Sequence, residues 1–304
     1  MMKTLTLCAP AKINLFLHIT GQRSDGYHNL QTAFQLLNFG DQIEFKLTEG
    51  KDIHLINTLP DVDDCDNLVM RAAQLLQNQA NRPLSGVKIK LDKQIPIGGG
   101  LGGGSSNAAS TLLGLNQLWD LQLSLKQLAE LGLRLGADVP VFIYGKSSFA
   151  EGVGEQLQPL KMPKMWFLVL KPPVSVPTET IFSHTQLTRD TRAIKMPSVF
   201  VQGEKTQDRA VESFSGLQLN PELINDCEPI VRMLYPAVDQ ALSWLNQHAN
   251  ARLTGTGACV FASFSDFDSA ESVFRQIPSD YQGFIAQGMD HSLAHEQLYH
   301  RINK

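Results

Sequence analysis

The stretch Gly98-Gly99-Gly100-Leu101-Gly102-Gly103-Gly104-Ser105-Ser106-Asn107 decides how this sequence is interpreted. Its first seven positions hold six of the chain's 23 glycines. Alternating apolar residues predict a strand over 87–92 before it, and residues 108–119 predict a helix after it. Glycine leaves backbone N–H groups unobstructed, and a helix N-terminus adds unpaired N–H groups with a partial positive charge. The stretch therefore predicts a loop that binds phosphate groups.

Better-known glycine motifs describe this stretch less well. Gly98, Gly100 and Gly103 satisfy the dinucleotide-binding pattern, but a second helix beginning at Ser124 follows the first, where that motif needs a strand. A Walker A loop needs a lysine near the position of Ser105, and a protein-kinase loop needs H-R-D and D-F-G sequences downstream. A flexible linker usually has polar sequence on both sides. An unconventional Gly-Ser phosphate loop remains the best interpretation.

The composition argues against several classes of protein. The 304 residues are 43% hydrophobic and 18% charged, enough for one large or two ordinary domains. A net charge of −4 and a pI of about 6.1 provide no strongly basic field, so we expect no nucleic-acid partner. The four cysteines have no metal-binding spacing and are expected to be reduced thiols.

The apolar N-terminal residues do not form a signal peptide, because Lys12 and Asn14 interrupt them. No stretch is long and apolar enough to span a bilayer, so we expect a cytoplasmic protein without a membrane partner. A shift in composition over 152–163 predicts a domain boundary near residue 150. The polar segment 183–213 is expected to be a long loop with some local helix.

Several residues have both a structural and a chemical interpretation. Lys12 interrupts a strand predicted over 4–20, and is either solvated on its open face or a cation near a phosphate or a reacting hydroxyl. Asp138 is either the N-cap of a helix with Pro140 in its first turn or a general base. Ser105 and Ser106 are helix N-caps, or they bind phosphate oxygens or a metal.

Two further segments indicate a binding site. Tyr27 and His28 follow a turn signal, and are either surface residues or suited to stack on and hydrogen-bond a flat heterocycle. Phe182 is by default a core aromatic residue. The segment Thr254-Gly255-Thr256-Gly257-Ala258 interrupts a strand pattern, and is either a β-bulge or a backbone that closes over a substrate.

Six segments of the chain together resemble one family. Residues 10–15, 96–106 and 253–257 resemble the three motifs of the GHMP kinases, small-molecule kinases named after galactose, homoserine, mevalonate and phosphomevalonate. Residues 21–28, 135–142 and 150–155 resemble the branch of that family whose substrate is an alcohol carrying a cytidine diphosphate group. The resemblance covers nearly the whole chain, except that 183–213 carries no motif.

The resemblance implies an α/β (α+β) fold of two domains. An N-terminal ATP-binding domain (1–150) would contain a left-handed βαβ element, and a C-terminal α/β domain (151–304) would hold the substrate, with the active site in the cleft between them. The implied reaction transfers the γ-phosphoryl group of ATP, with Mg²⁺, to the C2 hydroxyl of the CDP-alcohol, in the non-mevalonate route to isoprenoid precursors. We further expect a monomer or a weak homodimer. The resemblance names no metal ligand.

The resemblance also implies roles for individual residues. Asp138 looks like the general base, Lys12 like its charged partner, and Asn14 like a substrate ligand. The residues expected around the triphosphate are Pro96, Ile97, Gly98, Gly99, Gly100, Leu101, Gly102, Gly103, Gly104, Ser105 and Ser106, with Asn67 and Lys93 near the adenine. The residues expected at the substrate are Tyr27 and Phe182 on the two faces of the cytosine, His28 at its edge, Thr178 assisting, and Gly255, Thr256 and Gly257 closing over it.

Two alternatives stay open. One is a kinase of the same family that acts on another small-molecule alcohol, which would not need an aromatic clamp at Tyr27 and Phe182. The other is a nucleotide-binding module without enzymatic activity, which would need the glycine loop but not Lys12 and Asp138.

Overall fold

The computed structural model describes residues 3–57, 67–195, 200–202 and 217–302. Within these ranges the strands are β1 (Thr4–Gln22), β2 (His28–Thr48), β3 (Ile53–Leu55), β4 (Gly86–Asp92), β5 (Ser148–Glu151), β6 (Gln156–Pro159), β7 (Trp166–Lys171), β8 (Phe200–Gln202), β9 (Leu217–Leu219), β10 (Ala251–Leu253), β11 (Val260–Phe264) and β12 (Gln282–Met289). The helices are α1 (Leu68–Gln79), α2 (Gly103–Leu118), α3 (Leu125–Leu133), α4 (Val139–Tyr144), α5 (Thr178–Phe182), α6 (Glu228–Leu234), α7 (Pro236–Leu245), α8 (Phe267–Phe274) and α9 (Leu293–Ile302). None of the helices in these ranges is both long and apolar enough to cross a bilayer.

Strand β2 organises the main sheet. Strand β1 pairs antiparallel with it, from Thr4 opposite Lys46 to Gln22 opposite His28. Along its other edge β2 pairs with β5, β12 and β4. Strand β12 also pairs with β7, which continues the sheet to β11 and β10. Strands from both halves of the chain therefore share one sheet, and the predicted mixed α/β fold is confirmed.

A βαβ element is present in the first half, and its left-handed sense stays a prediction. Strands β3 and β4 pair in parallel, and α1 lies between them in the chain. Helix α1 begins where the side chain of Asn67 accepts a hydrogen bond from the backbone of Val69. The second predicted helix is α3, and Ser124 and Gln127 form the capping box that their spacing indicated.

Helix α2 begins earlier than the sequence predicted. Its N-cap is Gly102, whose φ of 70° lies in the left-handed region that glycine adopts without strain, and the helix starts at Gly103. Ser105 and Ser106 therefore lie inside the first turn, and their interpretation as N-caps is wrong. Most of α2 is buried, so the glycine loop is attached to a helix held on all sides.

Three hydrophobic cores lie around the sheet. The first is between the β1–β2–β4 region and helices α1 to α4, and the second packs β7, β10 and β11 against α6 to α8. The third combines residues of both halves, among them Ile13, Phe149, Phe167 and Phe261. The division of the chain near residue 150 falls within β5 and stays a prediction.

The polar segment 183–213 is described only in part. Residues 183–195 contain neither helix nor strand, so the expected loop is confirmed there, and the expected local helix does not occur within them. Residues 200–202, by contrast, form strand β8 and pair with β9. Residues 196–199 and 203–213 lie outside the described residues.

Candidate active site

A cavity of about 720 Å³ lies beside the glycine loop, within the size range of small-molecule sites. The predicted site residues that line it are Lys12, Asn14, Tyr27, His28, Asn67, Lys93, Pro96, Ile97, all of Gly98 to Ser105, Asp138, Thr178, Phe182, Gly255 and Thr256. Ser106 and Gly257 are not in the lining. Ser106 is fully buried in α2, and its Oγ has no hydrogen-bond partner among the described residues.

The glycine loop is fixed by the hairpin that joins β10 to β11. The backbone N–H of Ala258 donates to the carbonyl of Gly98 over 3.2 Å, and that of Cys259 donates to Gly99 over 3.1 Å. The hydroxyl of Thr254 donates to the carbonyl of Gly100 over 3.1 Å. Because three successive carbonyls are held, the loop's shape is set by contacts from the distant second half of the chain.

The close approach of these two segments requires glycine at position 100. A Cβ atom at position 100 would lie 2.2 Å from the carbonyl oxygen of Thr254. The φ of Gly100 is +73°, which other residues rarely adopt. The segment Thr254–Ala258 is a turn between paired strands, since Leu253 pairs with Val260 on either side of it. The β-bulge interpretation of that segment is therefore wrong.

Lys12 is buried at the edge of the loop, with an exposed fraction of 3%. Its ammonium nitrogen donates to Asn14 Oδ1 at 2.6 Å and to the Gly100 carbonyl at 3.1 Å, and it lies 3.2 Å from Asp138 Oδ2. A buried ammonium group needs such partners, because burial without them is costly. The interpretation of Lys12 as a solvated lysine is wrong.

Asp138 occupies the N-cap position of α4, but its side chain makes no capping hydrogen bond. The carboxylate instead faces Lys12 and is 33% exposed. The short helix α4 has Pro140 in its first turn, where a proline's missing N–H costs nothing. Because the Asp138 carboxylate makes no capping bond and is partly exposed, it is open to a molecule in the cavity.

Asn14 links the lysine to the surrounding framework. Its Nδ2 donates to the hydroxyl of Thr32 over 3.0 Å, and its backbone N–H donates to the hydroxyl of Thr254 over 3.0 Å. Both oxygen and nitrogen of its amide are thus engaged with protein partners. Asn14 therefore holds Lys12 in place, whatever it contributes to a substrate.

The expected adenine residues, Asn67 and Lys93, also line the cavity. Nδ2 of Asn67 is buried and has no hydrogen-bond partner among the described residues. Lys93 donates to Oδ2 of Asp41 at 2.5 Å. The fully buried Asp41 also accepts from the backbone N–H groups of Gln94 and Ile95, at 2.7 and 2.8 Å. One carboxylate thus holds both Lys93 and the segment that leads into the glycine loop.

The expected base-binding residues come together from three segments. The ring centroids of His28 and Phe182 are 5.1 Å apart with the planes 33° apart, and Tyr27 is 63% exposed beside them. The hydroxyls of Thr178 and Thr256 are 3.1 Å apart. Placement of a cytosine between Tyr27 and Phe182 stays a prediction.

Some residues at the site had no predicted role. Asp41 and Arg189 are the clearest cases, and Arg189 donates to Nε2 of His28 at 3.0 Å. Asn107, the last residue of the glycine stretch, lines the cavity, and its Oδ1 is buried and unpaired among the described residues. An acidic residue within a long strand and an arginine in a polar segment are common, so only the three-dimensional contacts identify them.

Burial shifts the pKa of several groups in and near the site. The pKa of His28 is lowered, first by burial and then by the positive charge of Arg189. Burial raises the pKa of the Cys259 thiol, which lies behind the glycine loop, to about 12. The described cysteines are free and buried, and Cys65 lies outside the described residues. No group of three or more metal-binding side chains occurs in the described part of the chain.

A glycine loop at a helix N-terminus, with a lysine–carboxylate pair at its edge, is an arrangement that suits enzymes transferring a phosphoryl group from a nucleotide to a small molecule. The family comparisons agree. The model "GHMP kinases N terminal domain" matches residues 67–146, and "GHMP kinases C terminal" matches residues 210–283. The chain belongs to the GHMP kinases, which use ATP.

Individual relatives extend the likeness over nearly the whole chain. The 4-diphosphocytidyl-2-C-methyl-D-erythritol kinase of Marinobacter nauticus is 50% identical over 299 residues, covering 98% of this chain and 99% of that protein. A crystal structure of 4-(cytidine 5'-diphospho)-2C-methyl-D-erythritol kinase is 29% identical with a TM-score of 0.77, covering 93% of this chain and 99% of that one. Homoserine kinase from Cytophaga hutchinsonii, at 17% identity and a TM-score of 0.64 over 96% of each chain, shares the fold.

Proposed function

We propose that this kinase phosphorylates the C2 hydroxyl of 4-diphosphocytidyl-2-C-methyl-D-erythritol, giving the 2-phosphate and ADP, in the non-mevalonate route to isoprenoid precursors. The observation that carries the proposal is that one cavity contains both the Lys12–Asp138 pair beside the glycine loop and the His28–Phe182 ring pair. The first feature suits phosphoryl transfer, and the second suits a flat base at the other end of the substrate. Full-length relatives of that name support it.

The proposed reaction begins with positioning. Backbone N–H groups of the glycine loop and the N-terminus of α2 bind the triphosphate and offset its negative charge. The C2 hydroxyl oxygen attacks the γ-phosphorus, the bond from that phosphorus to the bridging oxygen breaks, and ADP leaves. A tertiary hydroxyl is a poor nucleophile, so alignment and charge stabilisation supply most of the rate enhancement.

Asp138 and Lys12 act at the attacking oxygen. The Asp138 carboxylate accepts the hydroxyl proton, since it is exposed to the cavity and makes no capping bond. Lys12 is too well anchored to move, and serves as a fixed positive charge for the oxygens of the transferring group. The base end of the substrate lies at Tyr27, His28 and Phe182.

Mg²⁺ fits the residues at this site. Mg²⁺ is commonly held by substrate phosphates, water and one or two protein oxygens, so it does not need a cluster of protein ligands. Ser105, whose hydroxyl lies near Gly136, and Asp138 would offer such oxygens, and both line the cavity. The chemistry that Mg²⁺ would supply there, bound with ATP, is neutralisation of charge on the phosphate oxygens. We also propose a cytoplasmic location. We further propose that the protein is a monomer or a weak homodimer, and size-exclusion chromatography tests that oligomeric state.

The deciding experiment measures ADP release with a panel of alcohols. We expect turnover of 4-diphosphocytidyl-2-C-methyl-D-erythritol, with a kcat/KM far above those of mevalonate and homoserine. Turnover of another alcohol in place of the CDP-alcohol contradicts the proposed substrate but keeps the kinase. ATP binding with no phosphorylation of any acceptor in the panel contradicts the proposed chemistry.

A further inference from the structure

Arg189 is held rigidly next to the proposed base-binding residues. One Nη donates to the carbonyl of Leu187 at 3.0 Å, and the other donates to the carbonyls of Phe182 and His184, at 2.7 and 3.0 Å. Its Nε donates to Nε2 of His28 at 3.0 Å. With the guanidinium fixed by three carbonyls, its N–H group at Nε points in one direction, at the imidazole.

The contact determines where His28 carries its proton. A guanidinium has only N–H donors and keeps its charge in proteins, so the imidazole nitrogen facing it must be an acceptor. A neutral imidazole with an unprotonated Nε2 has its hydrogen on Nδ1. A doubly protonated imidazole would place an N–H hydrogen on Nε2, directly against the N–H hydrogen on Nε of Arg189. The neighbouring charge and the burial of His28 both disfavour that form, and its pKa is lowered accordingly.

Nδ1 of His28 is left for a ligand. His28 lines the cavity, and among the described residues its Nδ1 has no hydrogen-bond partner. The adjacent ring of Phe182 provides a flat apolar surface next to it. A base that stacks near Phe182 therefore meets an N–H donor at its edge.

We propose that Arg189 is a positioning residue that fixes His28 as the Nδ1–H tautomer and thereby makes the site prefer cytosine to uracil. N3 of cytosine is a hydrogen-bond acceptor, whereas N3 of uracil carries a hydrogen that opposes the Nδ1–H group. Sites built around such a donor reject a ligand with the wrong edge strongly, since a buried polar group is then left unpaired. The proposal rests on the proposed function, because it assigns the base-binding end of that same site.

The tautomer is measured first, in the free enzyme, by ¹⁵N NMR of the His28 imidazole. We expect protonation at Nδ1 alone in the wild type and a mixture of tautomers in Arg189→Met, which keeps the aliphatic stem but has no N–H group. Arg192→Met is the matched control, because Arg192 is an exposed arginine three positions further along. Protonation of Nε2 in the wild type, or an unchanged Nδ1–H tautomer in Arg189→Met, overturns the proposal.

Specificity is measured next, as the ratio of Kd values for UDP and CDP. We expect Arg189→Met to reduce the ratio of the UDP Kd to the CDP Kd by about tenfold, and Arg192→Met to leave it as in the wild type. Arg189→Lys retains a charged donor, so its ratio should lie between those of the wild type and Arg189→Met. A purely structural role, through the carbonyls of Phe182 and His184, would weaken both nucleotides equally and leave the ratio as in the wild type. An unchanged ratio therefore overturns the proposal.

The two proposals fail in distinguishable ways. Both measurements use nucleotide binding and NMR, so neither needs turnover of the proposed substrate. An enzyme that phosphorylates a different CDP-linked alcohol overturns the proposed function but still gives the expected tautomer and ratio. An enzyme that phosphorylates the proposed substrate with no change of ratio in Arg189→Met overturns the role of Arg189 alone.

Discussion

Lys12 and Asp138 are 3.2 Å apart but differ in their freedom. The lysine is 3% exposed, and its three N–H groups have three partners: Asp138, Asn14 and the Gly100 carbonyl. The aspartate is 33% exposed and ends a turn without a capping bond. One member of the pair is thus a fixed charge, and the other is available for proton transfer.

Asp138→Asn separates proton transfer from binding. Asparagine keeps the size and a carbonyl oxygen but is not a base, so we expect kcat to fall about 10²- to 10⁴-fold. The Kd for ATP should change little, because backbone N–H groups bind the triphosphate. Coupled ADP release measures kcat, and calorimetry measures the Kd. Asp268→Asn, at an exposed position in α8, is the control. A near-normal kcat in Asp138→Asn would show that another group is the base.

Gly100→Ala tests the contact between the two glycine-containing segments. The added Cβ would lie 2.2 Å from the Thr254 carbonyl oxygen at a φ of +73°, so backbone must move. We expect the free energy of unfolding to fall by about 2 kcal/mol or more, together with weaker ATP binding. Gly50→Ala is the control, since a Cβ there has nothing within 4 Å, and it should change stability by about 0.5 kcal/mol or less. Equal urea midpoints for the two variants would contradict the prediction.

Asp41 and Lys93 are suited to a double-mutant cycle. Asp41 is completely buried and Lys93 is 16% exposed, so loss of either partner leaves a poorly hydrated charge. We expect Asp41→Asn and Lys93→Met each to raise the KM for ATP, and Asp41→Asn to lower the free energy of unfolding by about 2 kcal/mol. The coupling energy from the double variant should be about 1–3 kcal/mol. Additive effects would mean that the two residues act independently.

Stability should decrease as the pH falls below about 6.5. Burial lowers the pKa of His18 and of His295 from the usual 6.5, and His291 and Lys146 lower that of His295 further. Below pH 6.5 the unfolded chain therefore binds more protons than the folded protein, and the free energy of unfolding declines. Urea midpoints at pH 7.5 and 5.5 measure the difference.

A matched pair of variants assigns that pH dependence. His295→Gln should reduce the change in free energy of unfolding between pH 7.5 and 5.5, because it removes one buried imidazole. His54→Gln, at an exposed imidazole in β3, should leave the change as in the wild type. If the wild type, His295→Gln and His54→Gln all show the same change in free energy of unfolding, groups other than His295 cause the pH dependence.

Local patterns predicted much of the framework around the site. The strand before the glycine loop, the helix after it and the capping box at Ser124 depend on neighbouring residues, and all are present. The start of α2 was missed because glycine is a poor helix former, yet Gly103 and Gly104 are helical when the rest of α2 is packed. Tertiary packing outweighs propensity there.

Longer-range features were not readable from periodicity. Strand β2 runs from His28 to Thr48, but its first half buries polar residues such as Gln31 and Gln35, so apolar and polar positions do not alternate. The pairing of Lys12 with Asp138 was expected only from the family resemblance, since no spacing rule relates them. Arg189 had no signal at all, because its role depends on contacts made after folding.

The position of β12 has a consequence for expressing parts of this enzyme. Its residues Gly288 and Met289 cover Leu37 and Leu36 of β2, next to β5. A fragment ending near residue 150 would leave the backbone N–H and C=O groups of this stretch of β2 unpaired, and an open strand edge is a template for self-association. A screen for inhibitors of the proposed ATP-binding residues therefore needs the full-length protein, because the first half alone is expected to self-associate.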